Sequence, residues 1–222
     1  MKNIVISKEF SDRVSDYRLI VIEADVTNGP TPDTLKAETE ALGQSLSQVM
    51  ELADINRRPA IAATRAAYKA CGKDPNRYRP SQEQLHRRIL RGLGLYDVNA
   101  IVDLGNLLSL ETGASVGIFD RDKLDGDTIT LGVGHAGEPY EGIGRGPLNI
   151  EGMPVLRDAT GGFGTPTSDN ERTKIDMTTT RILMTIHIFA DEMTIDDIVA
   201  EATRLLTTYA SATDICHTIT GI

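Results

Sequence analysis

Cysteine is scarce: the 222 residues hold two, Cys71 and Cys216. Two thiols make no disulfide framework, and both read as small buried apolar residues. Long apolar runs are missing too. No stretch approaches the ~18 apolar residues of a membrane-spanning helix, and Ile4-Val5-Ile6 near the start is too short for a signal peptide. A cytoplasmic location with no membrane partner is expected. Positive charge is in deficit, with 23 Lys+Arg against 32 Asp+Glu for a net −9. This excludes indiscriminate nucleic-acid binding, because phosphate contacts are made by Lys and Arg. There are no internal repeats. None of the four histidines, His86, His135, His187 and His217, pairs with Cys, His or a carboxylate at a metal-ligand spacing, so neither metal nor cofactor is expected.

What is present suits a globular chain. Hydrophobic residues make up 40% and charged ones 25%, and a chain of this length holds a core without metal or disulfide. Helical periodicities and strand-like runs alternate irregularly, so the expected class is α+β, a mixed sheet flanked by helices. One domain is expected over residues 1–222, divided into strands and a helix at 1–56, a middle part at 57–190, and a helix and strand at 191–222. Strands are predicted at Ile4–Ile6, Tyr17–Val26, Val116–Phe119, Thr128–Val133, Arg181–Phe189 and Ile215–Ile219. The apolar run Leu19-Ile20-Val21-Ile22 suits a strand buried on both faces. Leu35, Leu42, Leu46, Val49 and Ala53 mark one helical face of about twenty residues. An Ala-rich helix runs from Pro59 to Cys71 and stops at Gly72. Ser81 with Gln84 forms a capping-box signature before Leu85, Ile89 and Leu93. Asp97 is the expected cap of a helix with Ile101, Leu104 and Leu108, ended by Gly113. Thr194 with Asp197 caps the last helix. A glycine-rich stretch from Gly132 to Gly164 shows no helical period.

Charge is unevenly placed. From Arg57 to Arg91 ten basic residues face two acids, Asp74 and Glu83, for +8; the remainder carries −17. Such a segment is either a solvated helix face with ion pairs or a surface for phosphate. Gly113-Ala114-Ser115-Val116-Gly117 fits G-x-S-x-G, but a helix enters the turn and a strand leaves it, the reverse of a nucleophile elbow. A hydrolase pairing Ser115 with a histidine is the third-ranked reading; a tight turn requiring small residues explains the motif better. His135, between Gly134 and Gly137-Glu138, is the acid–base candidate among the histidines. Asn99, Asp103 and Asn106 share one helix face by spacing. Gly142–Gly146 and Gly161–Gly164 lack a phosphate-loop ending and are read as tight turns or as the wall of a pocket.

The run Asn99-Ala100-Ile101-Val102-Asp103-Leu104-Gly105-Asn106, with Glu111-Thr112-Gly113, Gly117-Ile118-Phe119-Asp120 and Leu124-Asp125-Gly126, resembles the editing (tRNA-binding) domain of the bacterial phenylalanyl-tRNA synthetase beta subunit. Upstream, Arg65-x-x-Tyr68-Lys69-x-x-Gly72-Lys73-Asp74-Pro75-Asn76-Arg77-Tyr78-Arg79-Pro80-Ser81 resembles the head of stand-alone proteins built from that domain. The resemblance spans Arg65 to Phe189 and is strongest to Gly126. It implies an α+β fold around a glycine-rich pocket and a tRNA partner presenting its aminoacylated 3′ end. It further implies hydrolysis of a mischarged aminoacyl-tRNA in trans by positioned water, with no protein nucleophile. The alternative is a non-catalytic RNA-binding or small-molecule-binding module. A complete ligase is not expected from 222 residues. On this resemblance Arg65, Lys69, Arg77 and Arg79 would contact RNA. Asn106, Ser115, Gly117, Phe119, Asp120 and Thr179 would shape the pocket, and Asn99, Asp103 and His135 are the catalytic candidates. The sequence departs from the family where Gly117 replaces a histidine and Ser115 a proline. An acidic pocket residue expected near Thr178-Thr179-Thr180 has no match. A pocket widened at Gly117 is therefore expected.

Overall fold

A computed structural model describes all 222 residues. Strands β1 (Asn3–Ile6), β2 (Arg18–Asp25), β3 (Ser115–Asp120), β4 (Thr128–Val133), β5 (Glu141–Gly142), β6 (Gly146–Pro147), β7 (Pro154–Arg157), β8 (Gly162–Gly164), β9 (Arg181–Ile188) and β10 (Thr213–Gly221) combine with six helices. The helices are α1 (Lys8–Ser11), α2 (Asp33–Val49), α3 (Pro59–Cys71), α4 (Ser81–Leu90), α5 (Ala100–Thr112) and α6 (Ile195–Ala210). The α+β class is as expected.

The antiparallel sheet β10-β2-β9-β3 is the middle layer. Side chains alternate across it. Ile20, Ile22, Met184 and Ile186 face α5 and α6, where they meet Leu104, Leu108, Leu205 and Leu206. Leu19, Val21, Leu183 and Phe119 face the second sheet, β1-β4-β7-β8, and pack on Leu131, Leu156 and Phe163. β2 and β9 are thus buried on both faces, which is why their sequences are almost continuously apolar. Each Leu or Ile fully buried here contributes about 1.5–3 kcal/mol. The second sheet is mixed, because β1 runs parallel to β4 while β7 runs antiparallel to it.

Several elements differ from the sequence reading. α2 ends at Val49, before Ala53, and only Leu35 and Gly43 on it are buried. Its stripe loses its partner towards the C-terminus, and Val49 lies exposed. α4 has no capping box: Pro80 is the N-cap, and no side chain caps it. The Ser81 hydroxyl instead donates to Ser115 Oγ (3.3 Å), and the Gln84 amide to the Arg79 carbonyl (2.8 Å). Leu93 is exposed beyond the helix end, while Gln82, Glu83, His86 and Ile89 are the buried side of α4. Asn99, not Asp97, caps α5 by accepting from the Val102 amide (3.0 Å); Asp97 pairs with Lys36 (2.7 Å). Thr194 caps α6 through the Asp197 amide (3.1 Å) as expected. Cys71 is buried and Cys216 half-buried.

Titratable groups in these layers set opposing pH limbs. Where α2, α5 and α6 meet, carboxylate atoms of Glu38, Glu111 and Glu201 lie within 4.8 Å of one another. Burial, then the charge of Glu201, pushes the Glu111 carboxyl up to about 7. Its folded pKa exceeds the ordinary 4.5, so its contribution is full below about pH 4.5 and is lost as pH rises through 7. Burial pushes Asp169 up to about 8 and adds to this limb. Burial pushes His86 down to about 4 and His187 down to about 3. Their stabilisation is present above pH 6.5 and is lost as pH falls towards those values. Urea unfolding of Glu111→Gln should match the parent at pH 5 and exceed it by roughly 1 kcal/mol at pH 8, the half-buried site screening part of the effect. Equal stabilities at pH 8 would refute the assignment.

Candidate functional site

The basic segment Arg57–Arg91 folds as α3, a loop and α4, and most of its charge is consumed internally. Arg58 reaches across to the end of α5, where it donates to the carbonyls of Leu110 (2.9 Å) and Glu111 (2.7 Å) and to Glu192 (2.6 Å). These carbonyls have no intrahelical partner, so a guanidinium there is favourable. Gly113 permits the approach: it has φ +70, and a Cβ there would lie 2.8 Å from Arg58 Nε. Arg58 also donates to His86 Nε2, so that atom is the acceptor. The His86 proton therefore sits on Nδ1, which donates to the Gln82 carbonyl (2.7 Å). Glu83 is fully buried and gathers Arg65 (2.7 Å), Arg87 (2.8 Å) and Arg79 (3.6 Å). The Arg88 guanidinium stacks 3.6 Å from the Tyr96 ring centroid. Of the four residues read as RNA contacts, Arg65 is thus committed to Glu83 and Asn76. Lys69, Arg77 and Arg79 are exposed.

The candidate pocket residues fall into separate places. Ser115, Gly117 and Phe119 lie on the inner face of β3 and are buried. The space beside Gly117 is filled: a Cβ there would meet Phe119 Cζ at 2.8 Å and Thr185 Oγ1 at 3.1 Å. Phe119 also abuts Phe163 edge to face, with centroids 4.8 Å apart. The expected widening at Gly117 does not occur, because the ring two residues along the same face occupies it. The Ser115 hydroxyl lies against Gln82 Oε1 and the Pro166 carbonyl (3.1 Å). Its cross-strand neighbour His187 instead bonds Tyr17 through Nδ1 (2.8 Å), so Ser115 has no histidine base. At the opposite end of β3, Thr179 donates to Asp120 (2.9 Å), which also pairs with Lys123 (3.2 Å). Asp103 accepts from Thr31 and from the Val98 amide (3.0 Å), tying the loop before α5 in place. Burial raises its pKa. Asn106 is half-buried on α5.

Two of the candidates, Arg77 and His135, meet in one cleft of about 660 Å³. Its walls are Glu9 of α1 with Arg13 just beyond it, the end of α3 with its following loop (Cys71–Asp74, Arg77, Tyr78), the end of β4 with the residues after it (Val133–Ala136), and Asn149, Glu151 and Gly152. The floor depends on close backbone approach. Gly134 N donates to Met153 O (2.8 Å) and Gly152 N to Gly134 O (2.9 Å). Gly152 has φ +71, and a Cβ there would lie 3.1 Å from the Cys71 carbonyl oxygen. Lys73 is the residue the sequence reading passed over. It is buried, its Nζ donates to the Asn149 carbonyl (2.7 Å), and it lies 3.8 Å above the Tyr78 ring. Burial lowers its pKa. Its position directly after the helix-stopping Gly72 was the available signal. His135 is exposed, with Nε2 3.5 Å from Glu9 and Nδ1 3.9 Å from Glu138. Glu138 is itself held by Arg157 (2.6 Å). The cleft therefore offers ammonium and guanidinium groups for an anionic ligand, beside an imidazole flanked by carboxylates.

The family model described as the B3/4 domain matches residues 63–209. Among curated proteins, the phenylalanine–tRNA ligase beta subunit of Gluconobacter oxydans is 39% identical over 83 residues, 36% of this chain and 10% of that one. The corresponding subunit of Bartonella henselae is 29% identical over 105 residues, 43% of this chain and 12% of that one. The match spans about a tenth of those proteins. A solved N-terminal fragment of the phenylalanyl-tRNA synthetase beta subunit from Pyrococcus horikoshii aligns with TM-score 0.49 and 11% identity, covering 98% of this chain and 54% of that one. With the family model spanning well over half of its residues, this chain belongs to the B3/4 domain family.

Proposed function

We propose that this chain is a tRNA-binding module of the editing type that receives an aminoacylated 3′ end in the cleft at the end of α3 and hydrolyses a mischarged ester in trans. The observation that carries the reading is the meeting of Lys73, Arg77 and His135 in one cleft, within the span matched by the family model. Lys73 and Arg77 would hold phosphate or carbonyl oxygens, and His135 would orient and deprotonate water, so that proximity supplies much of the rate. Lys69 and Arg79, exposed beside the cleft-forming loop, would add phosphate contacts. A panel of mischarged tRNAs tests this: the protein should release one amino acid, and His135→Ala should abolish release while leaving binding intact. Arg77→Glu should weaken tRNA binding and reduce the salt-dependence slope by about 1. Ser115→Ala should leave hydrolysis unchanged. A second reading, tRNA binding without hydrolysis, is favoured by one observation: Phe119 and Thr185 close the space beside Gly117, where the family carries a histidine. Retained binding with no release from any mischarged tRNA would select it.

A further inference from the structure

β10 is the outer strand of the middle sheet. Its inner side pairs with β2 from Cys216 to Gly221, and no strand pairs with its outer side. Alternate backbone N–H and C=O groups therefore point outwards along the edge. The devices that normally protect an edge are missing from its regular part. From Ile215 to Ile222 there is no charged side chain and no proline. Asp214, with φ +49, falls in the bulge between Thr213 and Cys216 and stands outside the ladder. Exposed apolar side chains lie along the strip itself, at Ile219 and Ile222.

We propose that β10 pairs antiparallel with β10 of a second copy, joining the two four-stranded sheets into one of eight. A strand edge paired antiparallel is complementary to itself under a two-fold axis, so the contact closes at a dimer. Charge selects the same occupant. At −9 two copies repel over most of their surfaces, and the strip Ile215–Ile222 is where uncharged edge can meet uncharged edge. A charged peptide strand would find no counter-charge on it. Centred on Thr218, the pairing sets His217 opposite Ile219 of the copy and Cys216 opposite Thr220, which keeps both helix layers on one side of the joined sheet. This surface is separate from the cleft and does not depend on its function.

Sedimentation velocity of the full chain over about 1–200 µM reads the outcome, the range expected for a small interface. The mass should rise from 24.1 kDa to twice that value. The double variant His217→Glu, Ile219→Glu changes two exposed positions and sets carboxylates opposite each other across the axis. It should raise the dissociation constant about tenfold or more, with circular dichroism confirming its fold. Val49→Glu, exposed at the last residue of α2, should dimerise like the parent. A parent chain that stays at 24.1 kDa throughout, even if it captures an unrelated strand peptide, overturns the proposal. So does a double variant that dimerises as the parent does.

Discussion

Glu83→Ala lowers the unfolding free energy by about 3 kcal/mol. The carboxylate is fully buried and holds Arg65 at 2.7 Å and Arg87 at 2.8 Å, with Arg79 at 3.6 Å. Removing it leaves two largely buried guanidinium groups without their acid. Breaking a buried pair from one side typically costs 3–5 kcal/mol, because the remaining charge stays desolvated. Arg65 and Arg87 side chains keep 12% and 21% exposure, enough to recover some hydration, which places the loss at the lower end. Glu83→Gln should fare only slightly better, since its amide nitrogen would turn a donor towards donors. Arg79→Ala, at a half-exposed partner, should change stability by under about 0.5 kcal/mol. Urea unfolding checks the series: the midpoint should fall with an unchanged slope. A loss below about 1 kcal/mol for Glu83→Ala would mean the arginines are not held by this carboxylate. The same variant frees positive charge on the α3–α4 surface, so its tRNA affinity should rise if that surface meets phosphate.

The Glu83 network also marks where sequence reasoning stops. β2 and β9 were legible because burial on both faces leaves a long apolar run that no polar partner disguises. The stop of α3 at Gly72 and of α5 at Gly113 was legible because a left-handed residue with a free edge favours glycine. α4 was not. Its apolar residues Leu85, Ile89 and Leu93 suggested one buried side, while the structure buries Gln82, Glu83 and His86 there. Their partners, Thr64, Arg65 and Arg58, come from α3 and the residue before it, and Ser115 comes from β3. No local period encodes a polar seam satisfied from distant chain segments. At the site, composition located the basic segment but could not say that Glu83 and the α5 carbonyls absorb much of it. His135 was identified from its loop, and Arg77 from the basic run; only the fold brings them to one cleft. Gly117 is the opposite lesson. A missing side chain creates space only if no neighbour on the same face fills it, and Phe119 does.

Gly134→Ala should lower stability by about 3 kcal/mol and disable the cleft together. Gly134 has an ordinary backbone conformation, so no φ strain enters; the effect is contact alone. A Cβ there would lie 1.9 Å from the Ile150 carbonyl oxygen and 2.7 Å from its carbon. Those are backbone atoms of the turn leading into β7, and they cannot rotate away as a side chain can. The turn must move, and two hydrogen bonds move with it, Gly134 N to Met153 O (2.8 Å) and Gly152 N to Gly134 O (2.9 Å). Overpacking costs about 1–3 kcal/mol, and disrupting these bonds about 1 kcal/mol each. The displaced turn carries the Asn149 carbonyl that receives the Lys73 ammonium. Lys73 is buried and would lose its acceptor, so anion binding in the cleft should weaken more than global stability requires. Gly137→Ala separates the two causes. Gly137 has φ +70 with nothing within 4 Å of an added Cβ, so strain acts there without displacement, at about 1 kcal/mol. Urea midpoints should rank parent, Gly137→Ala and Gly134→Ala in descending order. Inorganic phosphate titrated against both variants at a temperature where each is folded should bind Gly137→Ala like the parent and Gly134→Ala at least about tenfold more weakly, as the loss of one charged hydrogen bond implies. Equal phosphate binding by the two would detach Lys73 from the turn and leave the cleft chemistry to Arg77 and His135.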